Sequence, residues 1–336
     1  MRENLEKQLA YIPPGPEYLN LATNENFSIN HQTIMELTLK EVLKYGKFNQ
    51  YGQSSHTELR EKYAKYINVT PDEILPAPGS ESLIAVLLNA FVTDTLLTFN
   101  TDFFRYGEMA YILGKKHLSV NIEKGIAGLI ETTKTTKINL IMLSNPNNPL
   151  GIIHTEENLI QLLEQTDCYV VIDEAYAEYY GKSVTHLLPK YPKLIILKTM
   201  SKGWGLAGLR VGFMIANADI ISYVDAVQGP FVLSDLNANI ASLVLENEEA
   251  MHESVEKMKE IRADFIQFLD DYDVSVYPSE ANFVYIKTSQ AQKIAAELLK
   301  EKIAITARPD GLRITIGTQD QMEILKSNLS QFLPKK

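Results

Sequence analysis

The sequence has one cysteine, Cys168, one tryptophan, Trp204, and six scattered histidines in 336 residues. A single cysteine excludes any intrachain disulfide, and its place at the head of the apolar run Tyr169-Val170-Val171-Ile172 predicts a packed thiol, not a reactive one. Histidines without ligand spacing predict no bound metal. No run approaches the roughly 18 apolar residues of a membrane span. The charged start Met1-Arg2-Glu3-Asn4-Leu5-Glu6-Lys7 lacks the apolar stretch of a signal peptide. A soluble cytoplasmic protein with no membrane partner is the expectation. Basic residues are outnumbered, 32 against 42 acidic for a net charge of −10, and no basic block stands out. That argues against a nucleic-acid partner. Internal repeats and low-complexity linkers are also lacking.

What is present is apolar content, 45% of the chain, over a length that exceeds one ordinary core. A large and a smaller lobe are expected. From about Asn49 to Gly229 short apolar runs alternate with helical patterns, which predicts an α/β fold with a mainly parallel, doubly wound sheet. Asp235 to Asp270 reads as long helices. The strand-like Val274-Ser275-Val276-Tyr277, Phe283-Val284-Tyr285-Ile286 and Leu312-Arg313-Ile314-Thr315-Ile316 then suit a small α+β lobe. The predicted division is an N-terminal arm over 1–35 that packs with the small lobe, a large lobe over 36–232 and the small lobe over 233–336.

Four segments carry polar chemistry. Lys202 lies in Thr199-Met200-Ser201-Lys202-Gly203-Trp204-Gly205-Leu206-Ala207-Gly208-Leu209-Arg210, just after Leu194-Ile195-Ile196-Leu197. The segment offers an imine-forming amine, hydroxyls, small residues and an arginine, a set that suits an anionic aldehyde. Asp173-Glu174-Ala175-Tyr176 ends the run from Tyr169, where a buried carboxylate is costly unless paired. Ser144-Asn145-Pro146-Asn147-Asn148-Pro149-Leu150-Gly151 ends the run from Ile138 and reads as an ordered turn. Pro78-Gly79-Ser80-Glu81-Ser82 opens the apolar stretch Leu83 to Phe91, where helix-start amides could hold a phosphate. Taken singly, each has a plainer reading: surface lysine, helix cap, loop, serine N-cap. Three of them converge at the carboxyl ends of apolar strands, where ligands bind in open α/β sheets.

With these segments the chain resembles the fold-type I pyridoxal-phosphate enzymes, and within them the histidinol-phosphate aminotransferase branch of the class I/II aminotransferases. Leu21-Ala22-Thr23-Asn24-Glu25-Asn26, Asn49-Gln50-Tyr51, Ser279-Glu280-Ala281-Asn282-Phe283 and Leu312-Arg313-Ile314-Thr315-Ile316-Gly317 extend the match over nearly the whole chain. The resemblance implies an aspartate aminotransferase-like fold and the cofactor pyridoxal 5′-phosphate. Lys202 is then the residue that holds the cofactor and shuttles the proton. Asp173 meets the pyridine nitrogen, and Tyr176 and Asn148 meet the phenolic oxygen. Gly79, Ser80, Glu81, Thr199, Ser201 and Arg210 hold the phosphate. Phe103 stacks on the ring, with Phe104 its near competitor. The bond from Asn148 to Pro149 is a candidate for the cis form.

Tyr51 matches a tyrosine that reaches the neighbouring subunit's cofactor phosphate, which implies a homodimer with shared sites. Arg313 matches the clamp for the substrate's α-carboxylate, beside Asn148. Arg308 matches a second arginine for a distal phosphate or carboxylate, and Tyr11 a residue that closes over that group. Departures fall in this distal pocket. Only Pro309-Asp310-Gly311-Leu312 separates the arginines, and Phe231-Val232 stands where an asparagine usually follows the aromatic. Glu81-Ser82 replaces the usual Asp-Glu beside the phosphate. Trp204 either touches the phosphate loop or shields it, and His56 reads as a helix-start residue. Tyr63 and Tyr66, with Leu59 and Ile67, read as the buried stripe of a helix.

The implied activity is ping-pong transamination in amino-acid biosynthesis, between a histidinol phosphate-like or other amino donor and a 2-oxo acid. A decarboxylase of a phosphorylated amino acid, such as threonine phosphate, is the competing enzyme reading. A non-catalytic cofactor-binding sensor is the third.

Overall fold

The computed structural model describes residues 14–44, 49–52 and 56–336. Tyr11 lies outside them. Strand β1 (Leu19–Asn20) precedes seven strands of the main sheet: β2 (Ile74–Ala77), β3 (Thr95–Phe99), β4 (Lys116–Val120), β5 (Leu140–Ser144), β6 (Tyr169–Asp173), β7 (Leu194–Thr199) and β8 (Gly212–Ala216). Their order is β2-β8-β7-β6-β5-β3-β4. β8 is antiparallel to both neighbours, and the remaining pairs are parallel. The apolar runs are near-continuous because both sheet faces are covered. On β5, Ile141 and Leu143 enter one core while Leu140 and Met142 enter the other. On β6, Val170 and Ile172 oppose Val171 in the same way.

Helices supply the covering layers. Ser80–Phe91 buries Leu83, Ile84, Leu87 and Leu88, one face of a 3.6-residue period. Thr57–Ile67 buries Leu59 and Tyr63, and Tyr63 stacks on Phe213 of β8 at 3.6 Å between ring centroids. Asp235–Val244 and Glu248–Leu269 are the long helices expected after the sheet. Among the described residues no helix is long and apolar enough to cross a membrane.

The rest of the chain adds β9 (Ser275–Val276), β10 (Phe283–Lys287), β11 (Ile303–Ala304), β12 (Thr306–Arg308) and β13 (Gly311–Thr315). Four of these form an antiparallel sheet in the order β12-β13-β10-β9, while β11 pairs in parallel with β1. The short segment between the two arginines is a tight hairpin, with Arg308 opposite Gly311 and Thr306 opposite Arg313. A Cβ on Gly311 would lie 2.5 Å from the Ile286 carbonyl oxygen, so the turn leaves no room for a side chain there.

The main sheet has one reversal of strand order, between β3 and β5. Loops leaving the carboxyl ends of those strands diverge and open a crevice. The polar segments singled out in the sequence gather around it.

Candidate active site

Lys202 follows the end of β7 by three residues, and its Nζ donates to the Thr23 carbonyl at 2.8 Å. The amine also sits 6.0 Å from the centre of the Tyr176 ring. Burial pulls its pKa down to about 7, Arg313 and Arg210 push the same way, and Glu25 opposes them. An amine in that range is neutral often enough at physiological pH to attack a carbonyl.

Asp173 closes β6 opposite Ser144 of β5. It is 5% exposed and receives the Tyr106 hydroxyl at 2.8 Å and the Ala175 amide at 3.1 Å. Burial raises its pKa to about 6, against the effect of these two donors. A protonated ring nitrogen placed here would restore the charged form.

Tyr176 links the chain's distant parts. Its hydroxyl accepts from Asn24 Nδ2 at 2.8 Å and from Asn148 Nδ2 at 3.3 Å. Asn148 Oδ1 in turn accepts from Arg313 at 2.7 Å. Arg313 also donates to the Ala22 carbonyl and to Thr306. The N-terminal segment, the β5 turn, the β6 end and the β12–β13 hairpin therefore meet at one place.

A backbone cradle faced by Arg210 lies beside it. Gly79, at φ 77°, precedes the helix Ser80–Phe91, whose first amides have no acceptor within the helix. A Cβ on Gly79 would come within 2.6 Å of an Arg210 nitrogen, and one on Gly212 within 2.2 Å of the Ser80 amide. Only backbone fits in this gap. Arg210 donates to Ser201 Oγ at 3.3 Å, and Thr199 donates to the same oxygen at 3.0 Å. The Glu81 carboxylate is turned to Arg105 at 2.7 Å, and Ser82 Oγ bonds the Gly79 carbonyl at 2.8 Å. The Glu81-Ser82 departure thus pairs its carboxylate with Arg105, while the Ser82 hydroxyl braces the turn.

Phe103 sits in the β3 loop, edge-on to Tyr106 with centroids 5.5 Å apart. Phe104 is half exposed and lies under Arg308, 5.1 Å from ring centre to guanidinium carbon. The structure thus gives the two phenylalanines different neighbours. Arg308 is half-buried, its Nε has no hydrogen-bond partner, and no carboxylate pairs with it among the described residues. Tyr51 is not brought to this group. It is 84% exposed and stacked on Phe231 at 4.9 Å. Trp204 is buried against Tyr66, and His56 caps its helix in the left-handed region.

One expectation is corrected. The cis bond is Asn145–Pro146, not Asn148–Pro149. Both are Asn-Pro pairs, and local sequence cannot separate them. Several residues around the site escaped the sequence reading: Tyr106, Asn24, and Asp102, which is 9% exposed with its pKa raised to about 7 by burial. The only local signal was position: Asn24 lies in the segment Leu21 to Asn26, and Asp102 and Tyr106 flank Phe103 and Phe104.

A lysine of lowered pKa, a buried acid, a hydroxyl-amide pair and a backbone cradle with a guanidinium fit the aldehyde, ring nitrogen, phenolic oxygen and phosphate of pyridoxal 5′-phosphate. Comparison with known proteins agrees. The family model for aminotransferase class I and II matches residues 16–329. A histidinol-phosphate aminotransferase of Clostridium kluyveri is 32% identical, with 99% of this chain and 98% of that protein covered. The crystal structure of histidinol-phosphate aminotransferase from Sinorhizobium meliloti in complex with pyridoxal-5′-phosphate superposes with a TM-score of 0.90, at 19% identity, over 98% of this chain and 96% of that one. L-threonine-O-3-phosphate decarboxylase from Porphyromonas gingivalis superposes at 0.82, with 21% identity over 94% and 99%. The chain belongs to the class I and II aminotransferases, pyridoxal-phosphate enzymes of the aspartate aminotransferase-like fold, and within them it resembles the histidinol-phosphate aminotransferase branch.

Proposed function

We propose that the chain transfers the amino group of a donor bearing a distal anion, of the histidinol phosphate kind, to a 2-oxo acid by a ping-pong route. The observation that carries this reading is the hairpin β12–β13, which presents two guanidiniums, Arg313 and Arg308, at different neighbours. Arg313 is held by Asn148 and Thr306, and its planar fork suits an α-carboxylate. Arg308 rests on Phe104 with no acid partner among the described residues, and burial disfavours its charge. A half-buried cation of this kind calls for an anionic ligand.

The cofactor, when bound, supplies the electron sink that lets a Cα bond break. The chain's own groups do the rest. Lys202 Nζ, with a pKa near 7, would take the substrate's Cα proton and deliver it to the cofactor's aldehyde carbon, and would carry out the reverse transfer in the second half of the exchange. Asp173 holds the ring nitrogen's proton, and Tyr176 with Asn148 orients the ring's oxygen. Arg313 fixes the substrate's carboxylate so that the Cα–H, not the carboxylate bond, faces Lys202. The division at 35 and 232, with the hairpin in the closing lobe, belongs to the same reading.

A homodimer also belongs to it. Tyr51 and Phe231 form an exposed aromatic stack, and Met35, Leu39 and Leu43 are exposed on the helix His31–Lys44. These surfaces would be covered by a second copy, which would bring Tyr51 to the partner's phosphate. Light scattering that returned a fully active monomer would end that part.

The test is a half-reaction screen, following conversion of bound cofactor from its aldehyde to its amine form with phosphorylated and ordinary amino donors. Rapid conversion by histidinol phosphate supports the proposal. Carbon dioxide release from O-phosphothreonine, with no need for a 2-oxo acid, replaces it with the decarboxylase.

A further inference from the structure

Asp102 is a buried carboxylate that the mechanism above does not use. It lies three residues past the end of β3, on one side of the crevice where the strand order reverses. Its bonds to Ser144 cross that crevice. Oδ1 accepts from its own neighbour, the Phe103 amide, at 2.7 Å. It also accepts from the Ser144 hydroxyl, and the Ser144 amide sits 3.2 and 3.3 Å from its two oxygens. Ser144 Oγ then accepts from the Asn148 amide at 2.9 Å. A second strap runs beside it, from Asn147 Nδ2 to the Thr101 carbonyl at 3.1 Å.

Loops at a reversal of strand order leave in opposite directions, so the sheet does nothing to hold them together. Here they carry two groups that must keep a fixed relation, Phe103 over the ring's face and Asn148 at its oxygen. We propose that Asp102 is a positioning residue whose carboxylate, through Ser144, sets the distance and tilt between Phe103 and Asn148 and so fixes the cofactor ring in the crevice. The inference rests on the reading of Phe103 and Asn148 as cofactor contacts. A carboxylate suits the task because it accepts from several donors at once, where a hydroxyl or amide would leave one of these buried N–H groups unmet.

The test uses the full chain loaded with pyridoxal 5′-phosphate and reads visible circular dichroism per bound cofactor, which reports the asymmetry of the ring's surroundings, alongside far-ultraviolet dichroism. Asp102→Ala is expected to fold, bind cofactor and lose most of the visible dichroism, with kcat falling by up to about 10²-fold and KM changing little. Asp102→Asn, which keeps one acceptor oxygen for Phe103 and Ser144, restores much of the signal. Ser144→Ala reproduces the loss in part, and carries the test should Asp102→Ala fail to fold. Parental dichroism and kcat in Asp102→Ala, or in Ser144→Ala as its substitute, overturn the proposal. Phe103→Ala is the control for the underlying reading: if it too leaves the dichroism unchanged, Phe103 is not the ring's cover and the failure lies there.

Discussion

The Tyr106 hydroxyl donates to Asp173 across 2.8 Å, joining the helix Arg105–Ile112 to the end of β6. Both groups are buried, and the bond is one of two that hold the Asp173 pKa down against the desolvation that raises it to about 6.

Replacing Tyr106 by Phe removes that donor. The Asp173 carboxyl is then expected to titrate above 6, and its ionised form loses about 1.5–3 kcal/mol of support. Cofactor affinity measured from pH 5.5 to 8 should fall most at the acid end, with the midpoint of the fall displaced upward. An unchanged pH profile would show that the hydroxyl does not govern this acid.

Lys202 sets a pH signature for the cofactor-free protein. Its folded pKa of about 7 lies below that of an unfolded lysine. Between pH 7 and about 10 the unfolded chain therefore binds a proton that the folded chain does not, and stability from this group rises with pH. Urea unfolding of the parent and of Lys202→Met should show the parent gaining on the variant across that window. A constant difference would contradict a depressed lysine.

Arg308→Gln tests the distal anion. The variant should raise KM for phosphorylated donors by about 10- to 100-fold, the worth of a charge-assisted contact, and leave uncharged donors nearly unaffected. Equal losses on both donor kinds would assign Arg308 to the structure alone.

Beneath the site Lys198 pairs with Glu174 at 2.8 Å, with 4% and 2% of the side chains exposed. Ser183 and the Val184 amide satisfy the rest of that carboxylate. Lys198→Met strands the acid and should destabilise the protein by about 3–5 kcal/mol, while adding Glu174→Gln should recover part of the loss. Denaturant midpoints decide it.

The sheet was legible because a strand buried on both faces must be apolar throughout, and the runs from Tyr169 and Leu194 have no other outlet. Asp173 stood out because it ends such a run, and Lys202 because it lies in the polar segment that follows one. Asn24 and Tyr106 were not. Asn24 meets Tyr176 across 152 residues of sequence, and such a contact leaves no local periodicity. Tyr106 sits in a helix as a core aromatic, and only the placement of Asp173 beside it reveals that its hydroxyl has a partner. The short stretch between Arg308 and Arg313 was visible as a departure, but its meaning as a hairpin turn required the register with β10 and β13.

The account turns on Lys202 as the cofactor's anchor. Borohydride reduction of the cofactor-loaded protein, followed by peptide mass spectrometry, reads this directly. A phosphopyridoxyl group on Lys202 alone is the predicted result, and the same label on another lysine, or on none, would contradict it.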